Sequence, residues 1–156
     1  VGRNGCGKSS LLKLLIGQPI AHTGTLEIGS RLTVSYVPQD MSFLSGSADD
    51  FAAESEIDIT LFKTILRKLD FKRTQFTKDM SEFSMGQKKK VLLARSLCQR
   101  ANLYIWDEPL NYIDVISRLQ IETLILEYKP TMLFVEHDEA FVNDIATKVC
   151  RISLNQ

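Results

Sequence analysis

The stretch LYIWDEPLNYID, Leu103 to Asp114, sets a short apolar run directly against two adjacent carboxylates. Leu103 to Trp106 reads as a buried parallel strand, and the interior of such a strand has no use for Asp107 and Glu108. Pro109 follows at once and cannot donate to a sheet ladder, so the strand stops where the carboxylates emerge. Negative charge is wanted at that edge.

The chain around this stretch is long enough, at 156 residues with 44% hydrophobic content, to bury one sizeable core, and it reads as a single domain. Its 19 basic and 19 acidic residues cancel, so no global field points to nucleic acid or an anionic membrane. Cys6, Cys98 and Cys150 are odd in number and lack metal-ligand spacing, which favours a reducing, cytoplasmic setting over a disulfide framework. No apolar run approaches the roughly 18 residues that span a bilayer, and no leader pattern opens the chain, so direct membrane insertion is not expected. The chain opens on Val1 and then GRNGCGKS, a loop that ordinarily follows a buried strand, and a parent continuing upstream is therefore expected.

Apolar spacing predicts a first helix over Ser9 to Ile16, closed by Gly17 and Pro19. TLEIG and RLTVSYVP read as two short strands joined by a turn near Gly29 and Ser30. Asp40 to Glu56 reads as a loop, and ITLFKTILRKLDF, with Leu61, Ile65, Leu66 and Leu69 as its apolar face, as part of a helical insert. Beyond it the pattern predicts a helix over Ser84 to Cys98, strand Leu103 to Trp106, helix Val115 to Leu126, strand Met132 to Val135, a short helix near Glu139 to Asp144 and a last strand Lys148 to Ile152. Strands alternating with helices imply an α/β fold with a mostly parallel sheet covered on both faces.

Gly2, Gly7, Lys8 and Ser9 fit G-x-x-x-x-G-K-[ST] at the start of an amphipathic helix. Glycines let the backbone wrap an anion, Lys8 would reach the β- and γ-phosphates, and the Ser9 hydroxyl would meet Mg²⁺; a glycine turn that merely precedes a helix is the plain alternative. In a P-loop enzyme the aspartate after a second buried strand holds Mg²⁺, which suits Asp107, while Glu108 can orient or deprotonate the attacking water. A solvated Asp-Glu turn is the bland reading of the same pair. FSMGQKKK combines an ordinary capping box, Ser84 with Gln87, with three lysines at the positive end of a helix dipole, where cations cost stability and a phosphate would be welcome. Gln39 and His137 each emerge at the carboxyl end of a predicted strand, where ligands of open α/β sheets bind. Alone, each is an ordinary loop residue. In company with the P-loop, Gln39 could serve Mg²⁺ or the nucleophilic water and His137 the γ-phosphate.

In this order the motifs resemble the nucleotide-binding domain of the ABC ATPases, over nearly the whole chain, 1–156, with a helical subdomain at about 51–100. The resemblance makes GRNGCGKSS the Walker A, so that Gly2, Asn4, Gly5, Cys6, Gly7, Lys8, Ser9 and Ser10 would bind ATP. Gln39 becomes the Q-loop, FSMGQ the signature, LYIWDE the Walker B with Glu108 as catalytic base, Asn111 to Asp114 the D-loop and His137 the switch histidine. It implies ATP and Mg²⁺ as ligands, with Ser9, Gln39 and Asp107 around the metal. It further implies a head-to-tail sandwich with a second such domain, of the same parent chain or of a homodimer, in which Ser84, Gly86 and Gln87 act in trans. Met85 departs from the usual signature glycine and leaves room for altered hydrolysis at the partner site.

The short segment between Gln39 and Ser84, WDEPLNYID and FVEHDEAFV resemble the ABC-F group, soluble tandem ATPases that act on ribosomes, and within it the proteins that protect ribosomes from lincosamides, streptogramin A and pleuromutilins. The competing reading is the energy-coupling subunit of an ABC membrane transporter, which would carry the same catalytic motifs but needs a groove in the insert for a coupling helix. A DNA-repair ATPase of the superfamily would bring zinc-ligand cysteine pairs or a long coiled coil, and the sequence has neither.

Overall fold

The computed structural model describes residues 1–3 and 5–152. Its elements run α1 (Lys8–Leu15), β1 (Val34–Val37), α2 (Ala48–Glu54), α3 (Ile59–Lys68), α4 (Met85–Cys98), β2 (Leu103–Asp107), α5 (Val115–Tyr128), β3 (Met132–Val135) and α6 (Glu139–Ile145). The three strands form one parallel sheet in the order β1-β2-β3.

The register of this sheet positions everything that follows. Val37 pairs with Trp106, and Asp107 pairs with Val135, so the carboxyl ends of all three strands finish at one edge. Side chains alternate between the faces. Ile105 and Val135 pack with Leu12 of α1 on one face, supported by Val34, Tyr36 and Leu103. Val37 and Trp106 enter the larger core on the other face, with Phe62, Leu66, Leu92, Ile121 and Phe141. Asp107, two residues beyond Ile105, thereby falls on the α1 face.

Helix α4 is the hub of the larger core. Val91, Leu92, Leu93 and Ala94 are all fully buried, so the helix is enclosed on every side at its middle, as an apolar run of four demands. A small polar network ties it to the sheet: the Trp106 Nε1–H donates to Ser96 Oγ at 2.9 Å, and the hydroxyls of Ser35 and Ser96 share a bond of 2.7 Å.

Four expectations change. Thr25 to Gly29 forms no strand, because no hydrogen-bonding neighbour lies alongside it among the described residues; only RLTVSYVP supplies one, as β1. Within Asp40 to Glu56, α2 forms where a loop was expected, since Ser47 accepts from the Asp50 amide, Asp49 and Asp50 suit the first turn, and Ala48 and Ala52 are fully buried. The buried face of α3 is Phe62 and Leu66, and Leu61 is 46% exposed: the larger Phe62 takes the core position. Lys148 to Ile152 is not a strand either. Val1 donates its N–H to the Cys150 carbonyl at 2.8 Å and accepts from the Ile152 amide at 2.9 Å, the form of a parallel pairing with a single residue, too short to make a ladder. A cleft of about 720 Å³ is lined by residues of α1, of β3 and of 142–152, Lys8 and Glu136 among them. It does not touch Gln39, Asp107, Glu108 or His137.

The N-terminal half of α4 is fastened to the segment before α5. Lys90 pairs with Asp114 at 2.6 Å, and a Cβ on Gly86 would lie 2.5 Å from the Tyr112 carbonyl, so only glycine fits. Partial burial pushes Asp114 up, but the Lys90 ammonium and the Ser117 amide and hydroxyl outweigh it and hold the carboxyl at about 2. A depressed carboxylate stabilises the fold above its unfolded value and loses that contribution as pH falls through about 4 towards 2. Asp114→Asn keeps the helix cap but not the ion pair. Urea unfolding at about pH 7 should show a loss of at most about 1 kcal/mol, because Asp114 is half exposed and screened, and the difference from wild type should shrink steadily below about pH 4. A difference that grows as pH falls would contradict the assignment.

Candidate functional site

The glycine loop closes over the start of α1. Gly5 and Gly7 have φ of 79° and 89°, in the region where a Cβ is penalised, and Gly7 caps α1 in that conformation. The first turn of α1 carries no side-chain cap and no acidic residue, which leaves its amides to an anion. Lys8 is 6% exposed and curls back, its ammonium donating to the Gly2 carbonyl at 2.8 Å and the Arg3 carbonyl at 2.9 Å. Gly2 has a packing reason for its identity: a Cβ would meet the Ile152 carbonyl at 2.6 Å and Cys6 Sγ at 2.7 Å. The Cys6 side chain is itself buried, Ser9 is half-buried, and Ser10 is exposed. Asn4 lies outside the described residues.

Asp107 is 1% exposed, and among the described residues neither carboxylate oxygen has a hydrogen-bond partner of acceptable geometry. Burial raises its pKa; the neighbouring Ser9 hydroxyl opposes this, Glu108 reinforces it, and Lys89 and Lys13 oppose it. A buried, unsatisfied carboxylate is costly. Such a group, on the α1 face and beside Ser9, is what a divalent cation shared with phosphate oxygens requires. Mg²⁺ is commonly held by one or two carboxylates together with phosphates rather than by an all-protein cage, and no cluster of three His, Cys, Asp or Glu forms such a cage among the described residues.

Glu108 turns the chain through a positive φ of 49° immediately after β2, anchored by its amide donating to the Val135 carbonyl at 3.0 Å. Its side chain gathers three neighbours. The Gln39 amide donates to Glu108 Oε2 at 2.8 Å, the Asn111 amide donates to the same oxygen, and His137 Nε2 lies 3.4 Å from Oε1. Gln39, Glu108 and His137 thus come from three different strand ends, and the parallel register brings them together. Glu108 is 15% exposed and His137 47%, so the cluster opens to solvent at His137.

Sequence reasoning passed over several residues that build this edge. Glu136 is buried, its Oε1 accepting from the Leu110 amide at 2.9 Å and its Oε2 from the His137 amide at 2.8 Å, so it braces the loops on both sides of Glu108. Its signal was a carboxylate ending an apolar strand, the same one that singled out Asp107. Arg118 holds Asp138 through two bonds of 2.7 and 2.8 Å, which fixes the loop that carries His137. That pairing with Arg118, helped by the Phe141 amide, lowers the Asp138 pKa.

At the start of α4 the capping box forms: the Gln87 amide donates to Ser84 Oγ at 3.2 Å, and the Ser84 amide donates to Gln87 Oε1 at 3.0 Å. The lysines behave differently from the reading that put extra cations there for a phosphate. Lys89 is fully buried and Lys90 faces Asp114, because the helix turns both inward and leaves only Lys88 half-buried at the surface side. Burial lowers the Lys89 pKa, while Asp107, Glu108 and Glu136 raise it. Among the described residues, no hydrogen bond joins Ser84, Gly86 or Gln87 to the glycine loop of the same chain.

Residues 1–111 match the family described as ABC transporter. Over 156 residues the chain is 33% identical to the ATP-binding protein Uup of Buchnera aphidicola, covering 95% of this chain and 26% of that protein. It is 30% identical to ABC transporter F family member 2 of Arabidopsis thaliana, covering 97% of this chain and 23% of that protein. Among solved structures it is similar to an archaeal ribosome recycling factor, aABCE1, in complex with the ribosomal stalk protein aP1, at a TM-score of 0.73 and 28% identity over 93% of this chain and 29% of that one. The chain spans about a quarter of the length of these curated relatives. With the family match covering its glycine loop, Gln39, FSMGQ and the Asp107–Glu108 pair, the chain belongs to the ABC transporter family, as an ATP-binding α/β domain of its ATPases.

Proposed function

We propose that the chain hydrolyses ATP with Mg²⁺ as one half of a two-domain sandwich, in an ABC-F polypeptide that works on the ribosome. The observation that carries the catalytic reading is the convergence of Gln39, Asn111 and His137 on Glu108, one residue past the unsatisfied Asp107. In this reading the amides of the glycine loop and Lys8 take the phosphates, with Gly2, Asn4, Gly5, Cys6, Gly7 and Ser10 contributing through the loop. Ser9, Asp107 and the Gln39 amide would hold Mg²⁺, which neutralises charge on the β- and γ-phosphates when bound. Glu108 takes the proton of the attacking water, which displaces ADP from the γ-phosphoryl group, and Gln39 and Asn111 keep its carboxylate aimed. His137, at the open side, contacts the γ-phosphate.

The ribosomal reading is supported by the F-family relative and by the structural neighbour, a ribosome recycling factor. Transporter coupling is the second reading and has less support: no helix among the described residues is long and apolar enough to cross a membrane, which a coupling subunit shares, and the F-family relative favours the ribosomal reading. The finer assignment, protection of ribosomes from lincosamides, streptogramin A and pleuromutilins, rests on the WDEPLNYID and FVEHDEAFV likeness, and would place the parent in the cytoplasm. The capping box leaves Ser84 and Gly86 at an exposed helix start, which suits a contact with ATP held by another domain. We take the helical subdomain to be about 51–100. On this reading the 156-residue chain alone is a weak ATPase, because the second domain is needed to complete the site.

Lys8→Ala should remove useful ATP binding, since it deletes the side-chain cation aimed at the β- and γ-phosphates. Calorimetric titration should show a larger loss for ATP than for AMP; equal losses would mean that Lys8 serves the loop's fold alone. Glu108→Gln keeps shape and hydrogen bonding but removes the base. In the full-length polypeptide it should slow hydrolysis by about 10²- to 10⁴-fold with ATP still bound. The trapped protein should co-sediment with ribosomes. Hydrolysis near the wild-type rate would refute the base; trapping without ribosome binding would leave the base standing and refute the ribosomal partner.

A further inference from the structure

We propose that Lys89 is a positioning residue for the ATPase site: its buried ammonium clamps the ends of β1 and β2 by donating to the Pro38 carbonyl at 3.3 Å and the Asp107 carbonyl at 3.5 Å. The inference rests on the ATPase reading for its consequence in turnover, but not for the clamp itself.

The need for such a clamp follows from the register. The last pair between β1 and β2 is Val37 with Trp106, so the next would be Pro38 with Asp107. Pro38 has no N–H, and the ladder ends there. Yet the two residues that must be held close, Gln39 and Glu108, come immediately afterwards, and their side chains bond at 2.8 Å. Lys89 reaches across the gap from α4 and bonds both strands at the position where backbone pairing fails. The geometry also explains why an ammonium is kept at 0% exposure two residues before the apolar run of α4, Val91, Leu92, Leu93 and Ala94, all fully buried.

Two substitutions separate the clamp from charge and packing. Lys89→Met keeps the stem and removes the donor; Lys89→Gln keeps a donor and removes the charge. With folding checked by circular dichroism, hydrogen exchange is read on the nucleotide-free 156-residue chain at the ladder amides of Val34 to Val37 and of Leu103 to Glu108. In Lys89→Met both segments should exchange about tenfold faster together, the loss of a bond from a charged donor, while Lys89→Gln should stay within about threefold of wild type. In the full-length polypeptide, Lys89→Met should cut turnover about tenfold with ATP affinity within about threefold, and Lys89→Gln should recover at least about a third of wild-type turnover. Unchanged exchange in Lys89→Met, or equal damage in both variants, overturns the proposal. If Lys89→Met does not fold, lost protection at both segments in a folded Lys89→Gln overturns it. A wild-type protein that never hydrolyses ATP refutes the ATPase reading alone, and the exchange result then decides the clamp.

Discussion

The parallel register of three short strands is the constraint on which the site depends. With Val37 beside Trp106 and Asp107 beside Val135, the chain must deliver Gln39, the Asp107–Glu108 pair and the Glu136–His137 pair to one edge. Alternation along β2 then separates the two carboxylates by direction: Asp107 follows Ile105 onto the α1 face, toward Ser9, and Glu108 breaks out of the strand at a positive φ to meet Gln39 and His137. Adjacent acids thus acquire different surroundings from the geometry of a single strand end. This answers why a buried strand should end in two of them.

The edge is assembled against its own stability. Among the described residues Asp107 is buried without a hydrogen-bond partner, Glu108 sits at an unfavourable backbone angle, and Pro38 ends the ladder before Gln39 and Glu108 begin. The surrounding structure compensates through bonds that have no chemistry of their own. Glu136 ties the two loops, Arg118 holds Asp138, Lys90 holds Asp114, and Lys89 spans the strand ends. Helix α4 contributes two of these four and carries FSMGQ at its start, so the residues proposed to act on a partner domain and those that brace this site share one rigid body.

Much of this edge was legible in the sequence because its signals are local. A glycine loop before a helix, and an apolar run ended by carboxylates and a proline, fix type and position without knowledge of the rest of the chain. Residues whose meaning depends on direction were not legible. The lysines after FSMGQ looked like a cluster at a helix start, and only packing reveals that Lys89 and Lys90 turn inward. Leu61 and Phe62 differ by one step on α3, and the core selects the larger. Lys148 to Ile152 has strand character, and among the described residues its backbone pairs with Val1 alone, so it forms no ladder.

The central claim, that Asp107 is kept buried and unpaired for a Mg²⁺-bound nucleotide, is tested most directly by urea unfolding of Asp107→Asn against wild type, with and without Mg²⁺ and ATP. Burial raises the Asp107 pKa, so its ionised form destabilises the fold at about pH 7, and this cost is absent below the ordinary carboxylate range. Without ligand, Asp107→Asn should therefore be about 1 kcal/mol or more stable than wild type at about pH 7, with the advantage shrinking as pH falls toward about 4. With Mg²⁺ and ATP the order should reverse, because only wild type gains the full stabilisation of the bound ligand. A variant that is less stable without ligand, or that gains as much from Mg²⁺ and ATP as wild type does, would contradict the account.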